Sequence, residues 1–433
     1  MIYPALNKLN SIYSLLPWSL LGLMFSIPMS VSLSCIFWIT VLIIILITPA
    51  YRHLLPVILK SPVAISSIAF FIFICVACLW SDALLSEKLI IVEKYSKFLF
   101  FPLLIAAFSQ KNLRYQTLHA FLAIMTLTAL LSLLKWTGIE FIHWKNGDPD
   151  QVFYNHIMTS LMMAYAAYTS AWFFWRSTLP EVTTCAFEGV ATQDLGSVEN
   201  KDVRSDKSAC RYLGQSIYAL LFILFTFQLF FISSGRTGYI LYSLLVCLFL
   251  WQTLPLKKAL IAISISGIFL GIICCQSPVV QQGIENIIHD KIAYQQHDLQ
   301  TSLGYRLQFH AFSKKLFEEH YLIGNGTAGF WHAYQRDNPI PSWISKHPEP
   351  HGQYWLFLSE FGLLGFFIFA LFLCALLYEI WQLKEMQLLA IGIFAIFLVG
   401  NFTDSFFYYS TTLLFFMIII AICLSEKYDT TSL

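Results

Sequence analysis

The chain has 433 residues, 58% hydrophobic and 12% charged, with a formal net charge of +1 and a mean hydropathy of +0.67. A soluble domain carries roughly 25% charged residues, so a soluble globular protein is excluded, and the near-neutral balance excludes a nucleic-acid partner. The apolar residues fall in runs of about twenty, the length a helix needs to cross a bilayer, so the chain reads as an all-α polytopic membrane protein.

Taken in order, apolar runs near 14–30, 32–50, 62–80, 97–109, 115–135, 153–175, 213–232, 236–254, 257–276, 354–379, 386–401 and 405–424 predict about 12 transmembrane helices. The fourth is short enough to be re-entrant. The first run continues straight into the second, so the N-terminus lacks a cleavable-signal pattern. Lysine and arginine weight the loops so that both termini face the cytoplasm, through Lys8, Arg52, Lys60, Lys111, Arg114, Lys257, Lys258, Lys384 and Lys427. That parity puts residues 277–353, between spans 9 and 10, on the outer face. Trp80, Trp136, Trp144, Trp251 and Trp355 lie at expected span ends and fit an interfacial belt. Three parts follow: 1–276 with spans 1–9 and a polar cytoplasmic loop at about 177–212, the outer loop 277–353, and 354–433 with spans 10–12 and a short cytoplasmic tail.

Eight of the ten cysteines sit inside apolar runs, and Cys75-x-x-Cys78 is embedded in FFIFICVACLW, so these read as packing thiols.

The outer loop 277–353 holds seven of the eleven histidines (His289, His297, His310, His320, His332, His347 and His351), with six Lys/Arg against seven Asp/Glu. It is no general basic patch, so Arg306 and Arg336 count as individually placed groups. GYRLQFHAFSKKLFEEHYLIGNG reads as an amphipathic helix with Tyr305, Phe309, Phe312 and Leu316 on one face and Gly324 and Gly326 as its stop. Arg306, His310 and Ser313 share another face, one turn apart. DNPIPSWISKHPEPHG is too rich in proline to be helical, so it forms a loop returning to the membrane.

Several groups are candidates for chemistry. In FISSGRTGYI, 231–240, small residues permit close backbone approach and Arg236 is a permanent fork of donors suited to phosphate. The other reading is a positive helix end reaching to headgroups. In HPEPHGQYW a neutral histidine is suited to take a hydroxyl proton near pH 7, and Glu349 is placed to orient it. No pair with metal-ligand spacing occurs, because prolines between His347 and His351 break helical geometry. Asp404, in GNFTDSFFYYS, reads first as the N-cap of the last helix and second as a functional acid near membrane depth.

In order, WSDALLSEKL at 80–89, SSGRTGY at 233–239, GYRLQFHAFSKKLFEEHYLIGNGTAGF at 304–330 and HPEPHGQYWLFLSEFGLLGFF at 347–367 carry a resemblance to the O-antigen ligase family. Its larger group includes O-antigen polymerases and bacterial O-oligosaccharyltransferases. One departure stands out: the family pattern has His-Asn at the re-entry, and here Gly352 follows His351, which leaves Gln353 as a replacement and His347 as a rival to His351.

The resemblance implies a GT-C-like enzyme in the bacterial inner membrane, its active site facing the periplasm among membrane lipids. The donor would be a glycan on undecaprenyl pyrophosphate, and the acceptor a sugar hydroxyl of lipid A–core or another glycan. His351 would be the base, Arg236 and Arg306 would stabilise the pyrophosphate leaving group, and Arg336 would be a weaker phosphate contact. The transfer would invert the anomeric centre with no metal and no cofactor. A polymerase or protein O-oligosaccharyltransferase is the alternative, and the short C-terminal tail leans toward ligase. A transporter or flippase of similar span number should show charged mid-span residues in two related halves. The runs here carry almost none.

Overall fold

The computed structural model describes residues 15–138, 149–179, 201–343 and 348–429. Among them the regular elements are helical, and each of the twelve expected apolar runs falls on a helix. Among the described residues, five helical stretches are long and apolar enough to cross a membrane: Lys111–Trp136, Tyr212–Ile232, Leu256–Gln276, Gln353–Ile380 and Ser410–Tyr428. Leu15–Ser26, Val31–Ile47, Pro62–Ala77 and Gln387–Gly400 are apolar but shorter, and at 1.5 Å per residue the first spans only about 18 Å. Length therefore does not carry the expected count of twelve crossings.

The helix starts follow from local chemistry. Asn155 caps His156–Thr178 by accepting from Met158 N at 3.0 Å, and Ser277 caps Pro278–Gln295 by accepting from Val280 N at 3.1 Å, with proline at the first helical position. Within WSDALLSEKL a helix begins at Leu85 and runs to Ala107, carrying Lys88, Lys94 and Lys97. The expected polar loop at 177–212 is in part helical, because a helix already runs from Lys201 to Phe227. Residues 180–200 lie outside the described residues.

Two compact units form, one from Met1–Phe121 with Gly267–Leu433 and the other from Leu122–Ser266. In the first, the polar segment 277–353 folds as helices Pro278–Gln295, Ser302–Glu319 and Gly329–Asp337. Phe309, Phe312 and Leu316 of the middle helix are buried, against Phe330 and Tyr334 of the third. Each such side chain stabilises the fold by roughly 1.5–3 kcal/mol.

That helix ends at Glu319, before the glycines read as its stop. Gly324 and Gly326 instead build a turn that pairs, backbone to backbone, with a break in helix Gln353–Ile380. Asn325 N donates to Ser359 O at 3.0 Å and Gly326 N to Glu360 O at 2.7 Å. Leu363 N and Leu364 N donate back to Tyr321 O and Leu322 O. The helix breaks at Gly362, whose φ of 61° and ψ of −164° only glycine adopts readily. A Cβ there would sit 2.5 Å from Leu322 C, and one on Gly324 would sit 2.4 Å from Glu360 C. The segment 277–353, here called the cap, is thus hydrogen-bonded into the kinked helix. Glu360 and Glu379, both buried within that helix, are acidic exceptions to the apolar reading of the span.

Candidate active site

His351 sits just before the kinked helix in a left-handed backbone conformation, φ 49°. This region is costly for a residue with a Cβ and persists where surrounding contacts hold it. The contacts are on both sides. Glu349 Oε2 accepts from His351 N at 2.7 Å, and Glu349 Oε1 lies 3.0 Å from Nδ1. Asp404 Oδ1 lies 3.3 Å from the same Nδ1. Phe309 and Trp343 pack their rings against the imidazole at centroid distances of 5.7 and 5.9 Å.

Asp404 reaches His351 through the turn at 401–409. Gln353 N donates to Asn401 O at 2.9 Å, and Gly352 N donates to Ser405 Oγ at 3.1 Å. The final helix runs Ser410–Leu424 with Tyr409 at its cap, so Asp404 is not the N-cap it resembles in sequence. Its carboxylate is 1% exposed. Its Oδ2 accepts no hydrogen bond, and Arg306 Nη2 lies 3.7 Å from it. Arg306 projects from helix Ser302–Glu319 and keeps 31% of its side chain exposed, enough to meet an anion while Asp404 holds its inner side.

The electrostatics follow from this clamp. Burial works against a charged His351 ring, but the Glu349 charge and hydrogen bonds to Asp404 and Glu349 outweigh it and push its pKa up to about 10. Burial alone would raise Glu349, yet the His351 charge and the hydrogen bonds it receives hold it below the ordinary carboxylate range. Asp404 goes the other way, raised chiefly by burial. The raised pKa favours the imidazolium at neutral pH, with Nδ1 facing the two carboxylates.

His310, one turn along from Arg306, stands beside this centre. Its Nε2 is 3.4 Å from the carbonyl oxygen of His351, and its ring leans on Trp355 at 6.2 Å. Burial lowers its pKa, opposed by the hydrogen bond to the His351 carbonyl and aided by the charges of Arg306 and His351.

The remaining sequence candidates separate from the cluster. Gln353 is fully buried, its Nε2 donating to Tyr95 OH at 3.3 Å and its Oε1 accepting from Tyr408 N at 2.9 Å. Both ends of the amide are occupied, so it knits the helix start to its neighbours and does not replace a substrate-facing asparagine. Arg336 is 57% exposed and paired with Asp337 at 2.6 Å. His347 lies outside the described residues.

Arg236 belongs to the second unit, at the first position of helix Arg236–Thr253. The preceding segment Gln228–Ile232 is a π turn, a form that recurs at functional sites. Ser233 Oγ and Ser234 N both donate to Asp150 Oδ2, at 2.8 and 3.1 Å. A Cβ on Gly235 or Gly238 would meet Ser160 at 2.6 or 2.5 Å. The small residues of SSGRTGY therefore admit a neighbouring helix, where the sequence had suggested room for a ligand.

The sequence offered Asp404 as a helix cap or a functional acid but did not reveal its contact with His351, nor that of His310 with the His351 carbonyl. Asp404 carried a signal, as an acid near membrane depth, and His310 carried one in its one-turn spacing from Arg306.

No curated protein matches the chain. Residues 220–370 match the family described as O-Antigen ligase, a stretch that includes Arg236, Arg306, His310, Glu349 and His351. Over that stretch the chain is similar to the O-antigen ligase family, and the match, together with several helices long and apolar enough to cross a membrane, supports a multi-pass membrane protein related to that family.

Proposed function

We propose that the protein transfers a glycan from undecaprenyl pyrophosphate to a sugar hydroxyl of lipid A–core, at the periplasmic face of a bacterial inner membrane. The observation that carries the reading is the clamped His351, its Nδ1 between Glu349 and Asp404, with Arg306 on the open side of Asp404. Displacement at an anomeric carbon with a pyrophosphate leaving group needs two things: charge stabilisation on the departing oxygen and a group to receive the attacking hydroxyl's proton. Arg306 supplies the first as a permanent cation with a fork of donors. Attack from the face opposite the pyrophosphate inverts the centre.

His351 works at the reacting atoms through Nε2. As a base it acts from its deprotonated form, which fills as pH rises toward about 10. Below that it acts as a hydrogen-bond donor to the pyrophosphate oxygen.

The test is complementation in cells lacking the native gene, with lipopolysaccharide run on a gel and the protein blotted in membranes. His351→Ala should lose the O-antigen ladder while lipid-linked glycan accumulates. If full deletion leaves ligation intact and only shortens the chains, the enzyme is a polymerase. If deletion alters glycoproteins alone, the acceptor is a protein.

A further inference from the structure

We propose that helix Pro278–Gln295 is an interfacial anchor, lying along the bilayer surface with a stripe of isoleucines sunk among the acyl chains of the membrane lipid. The lipid contact goes beyond the glycan-transfer reading, and only its consequence for Arg306 rests on that reading.

The stripe begins in the sequence. Ile284, Ile287, Ile288 and Ile292 recur at i, i+3, i+4 and i+8, which sets them on one side of a helix. Folding leaves each of them between 48% and 54% exposed. A different side packs inward. Asp290 and Ala293 are buried, and Asp290 Oδ2 accepts from Leu303 N at 3.4 Å, in the first turn of helix Ser302–Glu319. Asp290 follows Ile288 by two residues, about 200° around the helix, so the isoleucines point away from that neighbour. Gln282 and Asn286, joined at 3.2 Å, lie off the stripe and are exposed.

Position along the chain identifies what covers the stripe. Helix Leu256–Gln276 is long and apolar enough to cross a membrane, and at 1.5 Å per residue it already covers about 31 Å, the thickness of the hydrocarbon layer. Ser277 alone separates it from the next helix. This residue is extended, φ −85° and ψ 114°, and its side chain accepts from Val280 N at 3.1 Å. The 18 residues of the next helix therefore start at the edge of the hydrocarbon. Continued along the same axis, they would carry the isoleucines up to about 27 Å into water. Turned along the surface, they set the stripe into the acyl layer and the polar side into water, as an amphipathic interfacial helix does. Lys291, one turn beyond Ile287 and Ile288, is exposed on the same side, and its long stem lets the ammonium reach back to lipid phosphates.

The anchor bears on Arg306. Asp290 holds the start of the helix that carries this arginine, so the depth of one helix sets the height of the other above the bilayer.

The experiment uses full-length protein in vesicles of phosphatidylethanolamine and phosphatidylglycerol, with p-benzoylphenylalanine in place of Ile288 or, separately, of Gln282. Ultraviolet light joins this probe to neighbouring C–H bonds, and mass spectrometry of the digested protein identifies what it joined. We expect phospholipid adducts at position 288 at about fivefold or more the yield at 282, the contrast between the lipid and water sides of one helix. Equal yields, or no adduct at 288, overturn the proposal. A crosslinked dimer from the 288 probe overturns it as well, by making the stripe an interface between copies of the chain. In a second arm, Ile287→Asp combined with Ile288→Asp should keep the thermal midpoint in detergent and lower glycan transfer in vesicles about tenfold or more. Ile287→Leu combined with Ile288→Leu should match wild type. A double-aspartate protein as active as wild type in vesicles overturns the link to Arg306. If wild-type protein transfers no glycan, the transfer reading fails while the adducts at 288 remain, so the two failures are told apart.

Discussion

Glu349 Oε1 and His351 Nδ1 are 3.0 Å apart, and Glu349 Oε2 also accepts from the His351 backbone at 2.7 Å. One carboxylate thus fixes both the left-handed backbone of the histidine and the proton on its ring. Tyr409 OH donates to the same Oε1 at 2.9 Å and keeps the carboxylate in place.

Replacing Glu349 with Gln removes the charge but keeps much of the shape. The His351 pKa should drop from about 10 by at least about one unit, since the lost attraction between close opposite charges is of that order. Nitrogen NMR of histidine-labelled protein across pH 6–11 reads this directly. An unmoved titration would mean that Asp404 alone holds the proton.

The same pair predicts a pH dependence of stability. The folded pKa of His351 lies above its ordinary value of 6.5, so its contribution is present in full below that value and fades as pH rises through about 10. Thermal midpoints in detergent should fall between pH 7 and 10 for wild type and fall less for His351→Gln. Equal slopes for the two proteins would count against the clamp.

Arg306 stands with 31% of its side chain exposed and Asp404 behind it. Arg306→Ala should reduce kcat by about 100- to 1,000-fold, the cost of removing one stabiliser of a developing anion. Arg306→Lys keeps the charge but loses the planar fork, and should recover only part of that loss. Full recovery would reduce the role of Arg306 to simple charge.

At Gly362 the backbone has φ 61°, and a Cβ would sit 2.5 Å from Leu322 C. Gly362→Ala should cost about 1–3 kcal/mol and loosen the cap from the helix. The readout is faster proteolysis within 277–353 together with a lower thermal midpoint, and wild-type protection would refute it.

In the second unit, Gly238→Ala should destabilise, because its Cβ would lie 2.5 Å from Ser160 Cβ. Ser160→Gly should restore much of the loss when combined with it, by the logic of a double-mutant cycle. Additive losses would show that Ser160 is not the obstacle.

The sequence by itself determined that the molecule is built of apolar helices interrupted by a polar segment at 277–353, because apolar runs and charge-poor helices answer to local composition. It also singled out Arg306 and His351, an isolated cation on a helix face and a histidine at a re-entry, and it matched Glu349 to that histidine through two-residue spacing. What only the tertiary structure decided are relations across long separations. Asp404 is 53 residues from His351 and looked like a helix cap. It becomes a partner because the turn at 401–409 bonds to the start of helix Gln353–Ile380. Gly324 and Gly326 looked like a helix stop, yet they pair with a break near Gly362 that no periodicity reveals. His310 lies 41 residues from His351, and only folding brings its ring over Gly352. Local pattern encodes which side chains face the core or the bilayer. The protonation of a histidine depends on charges within a few ångströms, and folding alone places them there.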